Sequence, residues 1–257
     1  METRELLQHK FVERAFKYFS ALPKDVHGKP LDIEFGDGDK IDEYQFYVLG
    51  VGSSIAHLLT LLEQLERAVI LLNNFHYSSK VKKLGITRFH HLHYNIENYL
   101  IRLRSIIDRV LQLINTVFHL QLDESTVTFQ IIIKNVKVER TPIKANLNDL
   151  RKFIESNTSE RNAIVHRHSL VEPALRKLEL LYLFDEEKWR NNSKDKALSF
   201  KGLTDMRSKI LRDYLEAKRG TFFAINNEVF SKISKLYDHL YQQHFLESAR
   251  LRKYLYE

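Results

Sequence analysis

The stretch from residue 90 to residue 120 most constrains the fold, because its apolar side chains recur at the spacing of an α-helix throughout. A half-buried strand would instead alternate apolar and polar residues. The apolar face consists of Ile96, Tyr99, Leu100, Leu103, Ile106, Ile107, Val110, Leu111, Ile114, Val117 and Phe118. A face this broad is typical of a buried helix, so we expect this stretch to be the central helix of a helical core.

Helical periodicity also dominates the rest of the chain, where eight glycines and four prolines leave few turn signals. We therefore predict an all-α fold. The expected helices span residues 4–21, 42–75 and 90–120, a segment beginning at Thr141-Pro142, residues 175–184, and two closing segments, 200–219 and 222–254, separated by Gly220. The glycines Gly50 and Gly52 could bend or loosen the first part of the 42–75 helix.

Residues 125–138 are ambiguous, because their side chains favour strands while the surrounding sequence is helical. We favour a short helix there. Connecting segments are predicted at 23–40, which holds several glycines and prolines, at the basic stretch 78–84, and at the charged stretch 185–196, which carries the single tryptophan, Trp189.

The composition excludes several classes of chemistry, because the chain of 257 residues contains no cysteine. Disulfides, thiolate metal sites and cysteine nucleophiles are ruled out, and a reducing cytoplasm is compatible with this usage. The N-terminus is charged where a signal peptide needs an apolar core, and no later stretch is expected to match the ~18 uncharged apolar residues of a membrane span. We therefore expect a soluble cytoplasmic protein with no membrane partner.

A formal net charge of +7 and a pI near 9.3 favour a polyanionic partner such as RNA. An excess of 40 basic over 33 acidic residues, spread along the chain, is equally what a solvated charged surface produces. Both interpretations stay open on charge alone.

The candidate catalytic residues are Arg161, Asn162 and His166, in a run of the form Arg-Asn-x-x-x-His. RNA can be cut without a metal when its 2′-hydroxyl attacks the adjacent phosphate. This reaction needs a group that moves protons near neutral pH and a fixed cation that stabilises the developing charge. His166 and Arg161 suit these roles, and Asn162 shares a helix face with His166 and could orient the imidazole or a phosphate oxygen.

The same run resembles the signature of the HEPN superfamily of small helical bundles, an arginine, commonly followed by a polar residue, and a histidine four to six residues later. The resemblance covers about residues 89–171, and the flanking helices resemble extensions of larger family members. It implies a HEPN-like helical bundle with additional flanking helices. We predict one helical domain over 1–257, with the HEPN-like core at about 42–184 and extensions at 1–41 and 185–257.

The resemblance implies a metal-independent endoribonuclease of the toxin or anti-phage defence type, controlled by an antitoxin or another regulatory protein. One alternative is a non-catalytic HEPN module that binds RNA, a nucleotide or a partner protein. Another is a helical scaffold in which Arg161 pairs with a carboxylate such as Glu160 and His166 only caps or packs. Some HEPN toxins carry, two residues after this motif, a tyrosine that their antitoxin modifies. This chain has His168 at that position, so the resemblance does not extend to that mode of control.

The spacing within the run predicts a homodimer. Arg161 and His166 are five residues apart, which places them about 140° apart around a regular helix. A two-fold dimer that joins two copies of the run would assemble a denser site. The resemblance to HEPN proteins implies the same dimeric arrangement.

No cofactor or metal is predicted. His90, His91 and His93 lack the i,i+4 spacing that places two imidazoles on one helix face. The carboxylates expected to hold Arg161 are Glu97 and Asp108, although nearby arginines compete for both.

Aromatic and basic side chains elsewhere in the chain are further candidates for contacts with RNA. The tyrosines at 94, 99, 237 and 241 could stack on bases, but their helical spacing is more typical of a core. Two basic clusters could contact phosphates or simply be solvated surface: Lys80, Lys82 and Lys83, and Lys134, Lys137, Arg140 and Lys144.

Overall fold

The structure is a computed structural model that describes residues 3–20, 41–73, 78, 80, 83–158, 173–183 and 200–256. Within these ranges the chain forms α-helices, one short 3₁₀ turn at Glu124–Thr126, and no strand, which confirms the all-α prediction. The helices are α1 (Thr3–Leu7), α2 (Lys10–Ser20), α3 (Glu43–Leu71), α4 (Arg88–Val117), α5 (Phe129–Lys134), α6 (Val136–Glu139), α7 (Ile143–Asn157), α8 (Pro173–Leu183) and α9 (Phe200–Tyr256).

The chain divides into two compact units. Unit 1 comprises Met1–Glu63, Arg104–Glu155 and Asn227–Glu257, and unit 2 comprises Gln64–Leu103 and Ser156–Asn226. Each unit has its own buried apolar side chains, such as Ile114 and Phe230 in unit 1 and Tyr99 and Phe222 in unit 2.

The expected central helix is present as α4, and all eleven residues of its predicted apolar face are buried. Its C-terminal part lies in unit 1, where it closely approaches α3. A Cβ atom added to Gly50 would lie 3.1 Å from the methyl carbon of Thr116, and the hydroxyl oxygens of Ser54 and Thr116 are 3.3 Å apart. Gly50 therefore permits close packing and does not interrupt α3.

Helix α3 corrects one expectation about membranes. Residues 44–62 contain no Asp, Glu, Lys or Arg, and α3 is long and apolar enough to cross a membrane by length and composition. It is the one such helix in the described parts of the chain, and half of its most apolar window is buried inside the protein. A buried core helix has the same composition, so this feature does not assign a membrane.

The ambiguous segment 125–138 contains two short helices, α5 and α6, which confirms the helical interpretation. Thr128 caps α5 by accepting a hydrogen bond from the backbone N–H of Ile131. Asn135 then adopts an extended conformation and caps α6 through the N–H of Lys137. Two side chains that favour caps thus override the local preference for strand.

The predicted 4–21 helix is interrupted. The chain turns at Gln8 and His9, where backbone hydrogen bonds of the tighter i→i+3 type close α1. The Nδ1 atom of His9 accepts a hydrogen bond from the N–H of Phe11 at 3.2 Å. The histidine therefore helps to start α2, and Leu7, at the end of α1, is 40% exposed.

The two predicted closing helices are one helix, α9, of 57 residues. Gly220 lies inside it, and nothing lies within 4 Å of a Cβ atom added there. A single glycine in a helix costs only about 1 kcal/mol relative to alanine, and no proline follows to stop the helix. The glycine was therefore too weak a signal for a boundary.

In unit 2, one side chain links the end of α3 to the start of α4. Arg88 donates a hydrogen bond to the backbone carbonyl of Leu72, directly after α3, and its Nη1 atom lies 2.9 Å from Nδ1 of His91. A cation at the C-terminal end of a helix satisfies an unpaired carbonyl and opposes the helix dipole. This contact fixes the two helices against each other within the unit.

Candidate functional site

The predicted catalytic residues Arg161, Asn162 and His166 lie outside the described residues, as do Glu160 and His168. The sequence also predicts a helix that begins near Ser159, because several capping side chains precede Glu160, and this helix lies outside the described residues as well. Their neighbours in sequence are the last residues of α7, which ends at Asn157 and is followed by the buried Thr158, and Pro173 at the start of α8.

Unit 2 carries a strong excess of positive charge. Its described residues include thirteen lysine and arginine side chains but six aspartate and glutamate side chains. The basic residues are Arg67, Lys80, Lys83, Arg88, Arg102, Arg176, Lys177, Lys201, Arg207, Lys209, Arg212, Lys218 and Arg219, and the acidic residues are Glu66, Glu97, Glu179, Asp205, Asp213 and Glu216. Most of these basic side chains are exposed, so unit 2 presents a surface suited to a polyanion.

A groove on unit 2 lies between α3 and α4, and we call it the α3–α4 groove. It has a volume of about 210 Å³. Its lining consists of Gln64, Arg67, Ala68, Leu71, Tyr94, Asn95, Asn98 and Arg102. It thus combines two guanidinium groups, three amides and one aromatic ring that is 66% exposed.

Hydrogen bonds fix the polar side chains of the α3–α4 groove. Arg102 donates from Nε to Oε1 of Gln64 at 3.0 Å and from Nη1 to the backbone carbonyl of Asn98 at 3.3 Å. The amide nitrogens of Asn95 and Asn98 donate to backbone carbonyls one turn earlier in α4, at 2.7 and 2.9 Å. Each asparagine therefore keeps its carbonyl oxygen and a second N–H for other contacts.

Two larger grooves lie beside α9 in unit 2. One, of about 450 Å³, is lined by residues on one face of α9 that include Arg212 and Arg219, two helical turns apart. The other, of about 580 Å³, lies between α8 and α9 and contains Lys177 and Lys218. Both place cations beside apolar side chains, which is a combination that suits a phosphate-bearing ligand.

The three histidines at the start of α4 have three different partners. His90 accepts a hydrogen bond from the backbone N–H of Thr87, His91 contacts Arg88, and His93 lies 3.5 Å from a carboxylate oxygen of Glu97. Burial and the adjacent charge of Arg88 lower the pKa of His91. In the parts of the chain that the structure describes, no group of three His, Asp or Glu side chains has the geometry of a metal site.

The carboxylates predicted to hold Arg161 have different surroundings. Glu97 contacts His93, as described above, while Asp108 is exposed on α4. Whether either meets Arg161 stays a prediction.

The four tyrosines that could stack on RNA bases fall into two groups. Tyr99 and Tyr237 are buried core residues, as their spacing favoured. Tyr94 is exposed, and Tyr241 is half-buried beneath the cations of Lys10 and Arg14. Tyr94 is therefore the tyrosine of the four whose ring is most open to a base.

The basic cluster after α4 makes contacts within the protein. Lys137 donates to the backbone carbonyl of Phe118 at 3.2 Å, and Lys144 pairs with Glu139 at 2.6 Å. These two lysines serve local structure, although contact with a phosphate stays a prediction.

A buried polar cluster in unit 1 was not predicted from the sequence. His244 and Tyr47 stack with ring centroids 5.5 Å apart, and His119, between Glu43 and Glu247, packs edge-on against Tyr47. These residues come from distant parts of the chain, and no spacing pattern links them. Periodicity marked their helices as buried but could not show which polar side chains would meet.

Comparison with known proteins identifies the class of protein that these helices form. A family model described as Cthe2314-like HEPN matches residues 47–219, more than half of the chain. The chain therefore belongs to the HEPN family, as the resemblance of its sequence predicted. No curated protein and no solved structure matches it.

Proposed function

We propose that this HEPN protein is a metal-independent endoribonuclease and that Arg161, Asn162 and His166 form its cleaving site. The observation that carries the proposal is the Arg-Asn-x-x-x-His run at 161–166 in a chain that belongs to the HEPN family. The excess of positive charge in unit 2 supports it, because the RNA backbone is a polyanion.

The proposed reaction forms a bond between the 2′-oxygen of one nucleotide and the adjacent phosphorus while the bond to the 5′-oxygen breaks. The products are a 2′,3′-cyclic phosphate and a free 5′-hydroxyl. His166 takes a proton from the 2′-hydroxyl or gives one to the leaving 5′-oxygen, since an imidazole exchanges protons near neutral pH. Arg161 stabilises the charge that builds on the phosphate oxygens, and Asn162 orients the imidazole or a phosphate oxygen.

The direct test is to incubate the purified protein with end-labelled single-stranded RNA and to identify the new ends. The proposal requires 2′,3′-cyclic phosphate and 5′-hydroxyl ends. A 3′-hydroxyl with a 5′-phosphate would point to metal-activated water as the nucleophile and would contradict it.

Chelation tests the absence of a metal. Cleavage should continue after dialysis against EDTA, because neither Arg161 nor His166 needs a metal in this reaction. Loss of cleavage that a divalent ion restores would move the chemistry away from His166.

We also propose that the active form is a two-fold homodimer, which brings two copies of the 161–166 run together. The proposal rests on the angle of about 140° between positions five residues apart on a helix. Sedimentation at micromolar concentration should show a dimer, either alone or with RNA bound. A monomer under both conditions would contradict the composite site.

The second candidate function is a non-catalytic HEPN module that binds RNA or a nucleotide. The α3–α4 groove favours it, because guanidinium groups, amides and an exposed aromatic ring are ligands for nucleotides whether or not a bond is cut. RNA affinity without cleavage, in protein purified alone and shown to be dimeric, would favour this function over the first.

For the biological role we propose a cytoplasmic toxin or defence ribonuclease that an antitoxin or another regulatory protein holds silent. The support is the proposed chemistry, since an unregulated endoribonuclease would damage the cell that makes it. Induced expression of the wild type should arrest bacterial growth, whereas His166→Ala at the same protein level should not. Equal growth of the two cultures would contradict this role.

A further inference from the structure

The described residues that line the α3–α4 groove of unit 2 come from α3 and α4. Six of its lining side chains can bind a ligand: Gln64, Arg67, Tyr94, Asn95, Asn98 and Arg102. We propose that this groove is a docking site for single-stranded RNA, in which one base stacks on Tyr94 and the adjoining phosphates contact Arg67 and Arg102.

The groove exposes one large aromatic ring. Tyr94 is 66% exposed, although it lies on the same helix as the buried Tyr99. A large exposed ring beside cations provides the stacking surface that proteins use for unpaired bases. A base within a duplex is already stacked and cannot reach such a ring, so the ligand is single-stranded.

Two guanidinium groups lie in the same groove. Nε and Nη1 of Arg102 donate to Gln64 and to the carbonyl of Asn98, which holds the guanidinium plane in place. Within the described residues, no hydrogen bond engages Nη2 of Arg102, and this group can donate to a phosphate oxygen. Arg67, exposed on the facing helix, adds a second positive charge.

Side-chain amides complete the polar lining of the groove. Asn95 and Asn98 each use one N–H within α4, so their carbonyl oxygens and second N–H groups can pair with the edge of a base. The groove volume of about 210 Å³ is below the ~300–1,000 Å³ of sites that enclose a complete small ligand. The groove therefore suits one nucleotide of a longer strand.

The choice of RNA rather than DNA rests on the proposed function. The stacking of a base on Tyr94 and the need for a single strand follow from the groove itself. Binding is therefore measured on the full chain with His166→Ala, so that the probe is not consumed if the protein cleaves RNA. If the proposed function is wrong, the His166→Ala protein still allows the RNA affinity of the groove to be measured.

The experiment follows the fluorescence anisotropy of a labelled 12-nucleotide single-stranded RNA. Tyr94→Ala and Arg67→Gln should each weaken binding by about five-fold or more, and Tyr94→Phe should change it less than about two-fold, because stacking does not need the hydroxyl. The matched controls, Tyr254→Ala at a 78% exposed ring in unit 1 and Arg176→Gln at an exposed arginine in unit 2, should bind as the parent does.

A duplex of the same sequence should bind more weakly than the single strand, and Arg67→Gln should lower the salt dependence of binding by about one phosphate contact. The proposal is overturned if the parent binds no single-stranded RNA, if Tyr94→Ala loses no more affinity than Tyr254→Ala, or if Tyr94→Phe loses as much as Tyr94→Ala. Equal affinity for single-stranded DNA would overturn the assignment to RNA.

Discussion

The Nδ1 atom of His244 lies 3.1 Å from the hydroxyl oxygen of Tyr47, in a part of unit 1 closed to solvent. The hydroxyl of Tyr47 donates to the carbonyl of Val117 at 2.9 Å, so its oxygen is the acceptor and Nδ1 of His244 carries the proton. The other ring nitrogen, Nε2, is buried without a hydrogen-bond partner among the described residues. Burial, with the nearby charge of Arg14, lowers the pKa of His244 to about 4.

The protein should therefore lose stability on acidification between about pH 6.5 and pH 4. In that window the unfolded chain protonates His244 and the folded chain does not, so the free energy of unfolding rises with pH. Moving from pH 7.5 to pH 4.5 should cost about 2.5 kcal/mol through this one group. The measurement is urea unfolding of the wild type and His244→Gln at both pH values.

The comparison isolates His244 because other titrating groups are common to both proteins. Glu247 is one of them: burial acts to raise its pKa, but its hydrogen bond with Arg250 and that residue's charge lower it below its usual range. His244→Gln should show the smaller loss between the two pH values. An equal loss in both proteins would mean that the imidazole is not held neutral.

Tyr99→Phe should destabilise the protein, whereas Tyr237→Phe should not. The buried hydroxyl of Tyr99 donates to Oδ1 of Asn226 at 2.9 Å, and its loss leaves a buried acceptor unpaired, at a cost of about 1–3 kcal/mol. The buried hydroxyl of Tyr237 has no hydrogen-bond partner among the described residues, so its removal relieves a desolvation cost. Equal changes in the free energy of urea unfolding would contradict these assignments.

Gly220→Ala should stabilise the protein by about 0.5–1 kcal/mol, since Gly220 lies within α9 and its surroundings leave room for a methyl group. Gly50→Ala is the matched control in α3. There the new carbon would meet Thr116 at 3.1 Å, and hydrogen bonds of the Thr116 hydroxyl limit its movement. Thermal unfolding should show a gain for Gly220→Ala that Gly50→Ala lacks.

How far the sequence predicts the structure depends on the range of the interactions. The apolar face of α4 follows from periodicity, because a helix sorts its side chains by their spacing along the chain. The helix boundary predicted at Gly220 is wrong, because the low helix propensity of one residue is a small free-energy cost compared with the packing of a long helix. The short helices around Asn135 were less clear, since capping and strand preference competed there.

Contacts between distant residues could not be predicted. The pairing of His244 with Tyr47 joins residues almost 200 positions apart, and the α3–α4 groove needs two helices in register. Spacing rules describe one helix at a time. The run at 161–166 can be recognised from the sequence because its pattern is local. The geometry of its side chains stays a prediction.

His166→Ala should lower RNA cleavage by about 100-fold or more, as loss of a general acid or base does, with RNA affinity and melting temperature nearly unchanged. Arg161→Ala should also abolish cleavage but should weaken binding, because a guanidinium contacts phosphate before the transition state as well as in it. Single-turnover cleavage and equilibrium binding, measured on the same preparations, separate the two effects. If both variants only lower the melting temperature, the 161–166 run is structural.

The contact between Arg88 and the carbonyl of Leu72 should allow the connection between these two residues to change in length. Arg88, in the first turn of α4, holds the start of that helix against the end of α3. The spacing of the two helices therefore does not depend on the length of the connection between them. Lengthening such a connection costs little, about 0.6 kcal/mol for each doubling. Relatives can therefore differ in length there without changing how α3 and α4 meet in unit 2, and an inserted peptide tag at 74–77 would leave the α3–α4 groove in register.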